Sequence, residues 1–169
     1  IYVAPVNGGA LRCLSSAAAS DSSPVWSPDS RQIAFIRNSG PGKSELWIIG
    51  AEGEGPRKLR EIRSAGSAPS LAWMSDPNWL VVSQTLADPV TNALFLVSTT
   101  SGEEFQITHP KPERSVGDLN PAVSPDGKRI AFARSTSSAW SDIFVAEFSP
   151  DRRHMSEPVR LTDAHTIID

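Results

Sequence analysis

The chain has 169 residues, 39% of them hydrophobic and 21% charged, and its 16 basic and 19 acidic residues leave a net charge of −3. That composition fits one globular domain and excludes a disordered or fibrous chain, and Lys and Arg scattered as pairs at most do not make the basic stripe of a nucleic-acid binder. No apolar run reaches the roughly 20 residues of a membrane helix, and a single cysteine, Cys13, excludes an internal disulfide and a cysteine-cluster zinc site.

The first element in chain order is the apolar run Ile1-Tyr2-Val3-Ala4, followed by a turn at Asn7-Gly8-Gly9 and a polar–apolar strand, Arg12-Cys13-Leu14. A full unit comes next. It has a short strand at Val25-Trp26, a turn at Ser27-Pro28-Asp29-Ser30, a strand from Ile33 to Ile36, the run Leu46-Trp47-Ile48-Ile49, a Gly-containing turn and Arg57-Lys58-Leu59. Pro at the second turn position presets φ, and Asp at the third bonds its own backbone.

A worn copy follows. Ala72-Trp73 leads into Met74-Ser75-Asp76-Pro77, a strand from Leu80 to Ser83, Leu94-Phe95-Leu96-Val97 and Phe105-Gln106-Ile107. The last copy has Ala122-Val123, Ser124-Pro125-Asp126-Gly127, a strand from Ile130 to Ala133, Ile143-Phe144-Val145-Ala146 and Val159-Arg160-Leu161.

Matching positions Ile1, Leu46, Leu94 and Ile143 are spaced by 45, 48 and 49 residues, while Trp26 to Ile33, Trp73 to Leu80 and Val123 to Ile130 are each seven apart. A period of that size with four strands per unit predicts an all-β chain, a partial β-propeller of four-stranded antiparallel blades. The third runs are apolar throughout, so both faces of each sheet are covered; the fourth strands alternate and suit a wet outer edge. The count is about three and a half blades in a single domain, 1–169. A half blade spans 1–14, blades span about 23–59, 70–107 and 120–161, and 162–169 leads into a further blade. The chain starts without Met and in mid-repeat, so it reads as a piece of a longer protein. Two open blade faces, each forfeiting on the order of 10 kcal/mol of apolar burial, predict coverage by further blades or self-association.

The unit built on Ser124-Pro125-Asp126-Gly127 with Ile130-Ala131-Phe132, repeated nearly as well at Ser27-Pro28-Asp29-Ser30 with Ile33-Ala34-Phe35, closely resembles the TolB-type propeller repeat, the WD-like Pro-Asp repeat. The resemblance covers essentially the whole chain. The middle copy departs from it, with Ser75 in place of Pro and Pro77 in place of Gly. It implies sheets arranged round a central channel. Its settings are the periplasmic protein TolB, the non-catalytic propellers of prolyl-oligopeptidase-type enzymes, CadC-like winged-helix regulators and membrane-bound kinases. The Pro before Gly8-Gly9 is most similar to the regulator and kinase group. The expectation is therefore a non-enzymatic protein- or ligand-binding or sensory module, a regulator's C-terminal region or a periplasmic scaffold, with the substrate-gating propeller of a serine hydrolase as the alternative. The compartment expected is periplasmic or extracytoplasmic, with the cytoplasm as the other choice.

No catalytic residue, cofactor or metal ligand is expected. His109, His154 and His165 have no ligand spacing and read as loop residues. No Gly-x-Ser-x-Gly elbow occurs; the stretch 66–70 reads as a loop. Asp29, Asp76 and Asp126 are lone carboxylates that cap turns rather than bind calcium. Trp26, Trp47 and Trp73 are expected in blade interfaces, and Trp79 and Trp140, beside turns, on the surface. Cys13 is expected on the wet face of an outer strand. Ser23, Ser70 and Asn120 occupy equivalent positions where the chain runs into the first strands, with Asp21 and Asp118 two residues earlier. They read as strand-end caps or as a polar rim for a protein or peptide partner at the channel mouth.

Overall fold

Successive side chains of a strand leave opposite faces of its sheet, so Ile33-Ala34-Phe35-Ile36 has two apolar faces to bury. A computed structural model, describing residues 1–15, 19–40, 42–65, 68–87, 91–111, 117–135 and 140–163, does this with stacked antiparallel sheets. A half blade pairs β1 (Tyr2–Val3) with β2 (Arg12–Cys13). Blade I is β3 (Ser20–Trp26), β4 (Gln32–Gly40), β5 (Lys43–Gly50) and β6 (Arg57–Arg63), hydrogen-bonded in that order. Blade II is β7 (Leu71–Trp73), β8 (Trp79–Thr85), β9 (Asn92–Ser98) and β10 (Glu104–Gln106). Blade III is β11 (Gly117–Val123), β12 (Arg129–Ser135), β13 (Ser141–Glu147) and β14 (Val159–Arg160).

Register repeats from blade to blade: Ile33 faces Ile49, Leu80 faces Val97 and Ile130 faces Ala146. The core is therefore layered between blades. Ile33, Phe35 and Ile49 pack with Ile1, Val3 and Leu14 of the half blade. On the opposite face, Ala34, Ile36, Leu46 and Ile48 meet Leu71, Trp73, Leu80 and Val82 of blade II. Val81, Leu94 and Leu96 then meet Ile130 and Phe132 of blade III. Each fully buried Leu, Ile or Phe contributes about 1.5–3 kcal/mol.

The Ser-Pro-Asp turns are built alike. The hydroxyls of Ser27 and Ser124 donate to Asp29 and Asp126 at 2.6 Å, and these carboxylates accept the amides of Arg31 and Lys128. Ser30 and Gly127 take left-handed φ values of 59° and 69° to leave the turn. Asp76 keeps its capping role without the flanking motif, accepting the Asn78 amide at 3.0 Å. A fourth copy, unrecognised in the sequence, lies at Ser149-Pro150-Asp151-Arg152. There Asp151 accepts from Ser149 and from the Arg153 amide. This hairpin reaches back to blade II, with Arg152 2.9 Å from Asp76 and the Arg153 guanidinium 4.8 Å from the Phe105 ring centre.

Three expectations change. First, β3 and β11 begin three residues earlier than the blade boundaries read from sequence, and each carries a bulge, between Ser22 and Val25 and between Leu119 and Ala122. Pro24 and Pro121 lie inside these bulges, where a missing N–H breaks no ladder bond. Second, Trp26 is 49% exposed, whereas its equivalent Trp73 is 9% exposed. Trp26 shares a face with Ile33, and only the outer strands β1 and β2 stand against that face among the described residues. Third, Trp79 is half-buried, its ring 6.1 Å from that of Phe105, because β10 folds beneath it. Trp140 is exposed, as is Cys13 on β2. On the outward face of blade III, Ile143, Val159 and Leu161 are 40%, 64% and 63% exposed. The part of the lead-in at 164–169, with His165, lies outside the described residues, as do Gly66 and Ser67.

Candidate functional site

The inner strands β3, β7 and β11 stand side by side, with β7 touching both others. Their upstream ends bring the five rim residues to one end of the fold. Asp21 on β3 lies directly across from Arg37 on β4, and Asp118 on β11 across from Arg134 on β12. Both pairs are two-pronged. Arg37 donates through Nε and Nη2 to the Asp21 oxygens at 2.8 and 2.9 Å, and Arg134 to those of Asp118 at 2.7 and 3.0 Å. Asp118 is fully buried. Burial pushes the Asp21 carboxyl up, and bonds from Arg37 and Ser15 more than offset it, holding it below the usual carboxylate range.

The same rung continues outward. The Arg37 guanidinium lies 4.5 Å from the Trp47 ring centre, and that of Arg134 4.9 Å from Phe144. Across from these arginines stand Glu45 and Asp142. Lys58 reaches Glu45 and Arg160 reaches Asp142, each at 2.7 Å. Lys58 first, then the Trp47 indole N–H, holds Glu45 below its ordinary value. The Asp118 carboxylate is thus engaged inside its own blade, and that of Asp21 by Arg37 of its blade and by Ser15, just beyond β2. The partner arginines were missed in the sequence, although both sit 16 residues after their aspartates.

Ser23, Ser70 and Asn120 link the blades. The Ser23 hydroxyl donates to the Pro69 carbonyl at 3.2 Å, and the Asn120 amide donates to the Ser70 hydroxyl at 2.8 Å. Ser70 is also bonded to Ser83. Ser23 and Asn120 have φ of 53° and 51°, left-handed values inside the two bulges, and the Asn120 side chain is exposed. Non-glycine residues held there cost of order 1–3 kcal/mol each, so the surrounding bonds must hold them.

His109 is exposed beside a cleft of about 120 Å³ lined by Arg134, Met155 and Glu157, and His154 is exposed 3.5 Å from Asp151. Among the described residues no three His, Cys, Asp or Glu side chains come together as a metal site. None of those residues forms a helix long and apolar enough to cross a membrane.

No family model matches the chain. Peptidase YuxL of Bacillus subtilis, described as an uncharacterized peptidase, is 31% identical across 65% of this chain and 21% of its own length. A TolB homolog of Chlorobium luteolum is 27% identical across 78% of the chain and 28% of itself. The Tol-Pal system protein TolB 1 of Novosphingobium aromaticivorans is 38% identical across 43% of the chain and 16% of itself. The chain therefore spans roughly a sixth to a quarter of the length of these relatives. In solved structures, a TolB of Agrobacterium tumefaciens superimposes on 91% of the chain and 66% of its own, with a TM-score of 0.60 at 18% identity. A prolyl endopeptidase superimposes on 85% of the chain and 22% of its own, with 0.63 at 15%. At these identities the likeness is one of fold. The fold is that of a TolB-like β-propeller, present here as a run of blades.

Proposed function

We propose that the chain is a non-enzymatic binding module of a larger bacterial protein, presenting the rim of its inner strands to a protein or peptide partner. The observation that carries this reading is the pair of left-handed bulges at Ser23 and Asn120, equivalent positions locked by bonds to the neighbouring blade. Strained backbone held at matching points of a channel mouth presents polar groups at fixed spacing, which is what recognition without chemistry requires. The setting we favour is the C-terminal region of a CadC-like regulator or a TolB-like scaffold, outside the cytoplasm. Kinship in sequence with TolB proteins supports the second of these.

A photo-crosslinking amino acid at position 120 of the parent protein, in cells, is expected to give a discrete adduct. The same group at Ser101, at the opposite end of the strands, is expected to give none. Equal labelling from both positions, or no adduct at 120, removes the rim as the contact surface.

The 31% identity to a peptidase supports a second reading, the substrate-gating propeller of a prolyl-oligopeptidase-type hydrolase. Peptide hydrolysis by the parent protein, with an α/β-hydrolase region encoded beside this segment, favours that reading; an upstream winged helix favours the first.

A further inference from the structure

Blades I and III each place one of their own guanidinium groups over an aromatic ring, Arg37 over Trp47 and Arg134 over Phe144. Blade II keeps the ring, as Phe95, and lacks the cation. Gln84 stands at the arginine's place, directly across from Ala93 at the place of Glu45 and Asp142, and Gln106 replaces Lys58 and Arg160. Ala68 takes the position of Asp21 and Asp118. With these shorter or uncharged side chains, a groove of about 520 Å³ opens between blades I and II. That volume falls within the range of about 300–1,000 Å³ common to ligand sites. Its lining includes Ser44, Arg60 and Ile62 from blade I and Gln84, Phe95 and Glu104 from blade II.

Among the buried and half-buried polar groups of this groove, those left over are acceptors. Gln84, only 7% exposed, donates its Nε2 to Glu104, and no donor among the described residues meets its Oε1. Gln106 likewise donates Nε2 to the Thr108 carbonyl at 2.8 Å, and no donor among the described residues meets its Oε1. Glu104 takes one bond from Gln84 and an ion pair from Arg60 at 2.7 Å, leaving lone pairs on both oxygens. Arg60 is already committed, to Glu104 and to the carbonyls of Glu61 and Gly102. The other cations of the lining, Lys43 and Arg63, are exposed, whereas Gln84 and Phe95 are buried, so the buried part of the groove offers no free guanidinium to an anion. An aromatic floor with acceptors round it suits a flat cation carrying several donors. A guanidinium stacks on the ring and points its fork at the acceptors, whereas an ammonium is compact and more strongly hydrated.

We propose that this groove binds the arginine side chain of a peptide partner, whose guanidinium takes over Phe95 the place that Arg37 and Arg134 take over the rings of their own blades. The inference stands on the groove alone and does not require the rim to be a contact surface.

The test is an NMR titration of the chain with N-acetyl-arginine methylamide, and with the citrulline counterpart, which has the same shape and no charge. The arginine probe is expected to give saturable millimolar shifts at the Gln84 side-chain amide, and citrulline to bind at least about tenfold more weakly. Gln84→Arg supplies an internal guanidinium and should abolish binding. Glu104→Gln should weaken it by at least about tenfold and decides the matter if the first variant does not fold. Absence of saturable shifts, equal binding of citrulline, or undiminished binding to the folded variants overturns the proposal.

Discussion

Asp118 shows what the repeated rung costs and supplies. Its carboxylate is fully buried, its oxygens meet two nitrogens of Arg134, and that guanidinium lies over Phe132 and Phe144. Removing one member of such a pair strands the other, so Asp118→Ala is expected to destabilise by about 3 kcal/mol in urea unfolding, the low end for buried pairs because Arg134 keeps some solvent. Blade II carries no charge at either of these positions, which are Ala68 and Gln84 there. Adding Arg134→Gln to Asp118→Ala should therefore recover most of the loss, to within about 1 kcal/mol of the native chain. A double variant as unstable as the sum of its parts would contradict this. The exposed turns add a pH dependence. The hydroxyls of Ser27, Ser124 and Ser149 hold Asp29, Asp126 and Asp151 below the usual carboxylate range, as Arg37 and Lys58 do for Asp21 and Glu45. Such carboxyls release protons more readily folded than unfolded. Their contribution is complete above the unfolded pKa values near about 4 and is lost as pH falls through the lower folded ones. The melting temperature should be flat from about pH 8 to 5 and fall below about pH 4; a decline beginning near neutrality would implicate other groups.

Between elements, backbone approach sets the strictest demand. Gly117 opens β11 with φ of 119° and forms a single parallel bridge to Asn92 of β9, joining blades II and III into one continuous sheet. A Cβ on Gly117 would collide with the Asn92 backbone, which cannot swing aside as a side chain can. Gly117→Ala should therefore cost about 3 kcal/mol, from positive φ and the forced separation of the blades together. By contrast, the close contacts of a Cβ at Gly127 would be with the Ser75 side chain, and its equivalent in blade I is Ser30; Gly127→Ser should cost clearly less in the same assay. This difference also marks what the sequence could tell. Strand identity and register were legible because Ile33, Leu80 and Ile130 sit at fixed distances from Trp26, Trp73 and Val123, and alternate residues then go to opposite faces of the sheet. The inner strands were read too short because Ser-Pro and Asn-Pro look like breaks, and only the pairing reveals bulges that let the strand run through them. Spacing shows that Ser23, Ser70 and Asn120 are equivalent positions, but not which bonds they make. The partners of Asp21 and Asp118 lie across a strand pair, and those of Ser23 and Asn120 lie on another blade. The groove was hidden for a related reason: it arises from side chains blade II lacks, visible only once the other blades show what fills that rung.

At the scale of the molecule, stability accumulates blade by blade through nearest-neighbour interfaces, so it is not uniform along the chain. Blade II is covered on both faces, and every residue of β9 is buried. Its outer flank is fastened by Arg57 and Arg60 bonding the carbonyls of Thr99 and Gly102, and by the hairpin carrying Arg152 and Arg153. At the extremes, β14 is exposed along its length, and β2 is the one strand hydrogen-bonded to β1 among the described residues. Hydrogen exchange in dilute solution should therefore rank β8 and β9 as most protected, β4 and β5 next, and β1 and β14 as the first to open. β14 is the decisive strand, since Val159 and Leu161 lose water only if something lies against them. If β14 amides exchange as slowly as those of β9, the outward face of blade III is occupied in solution. Protection that rises with protein concentration would then identify the occupant as a second copy of the chain.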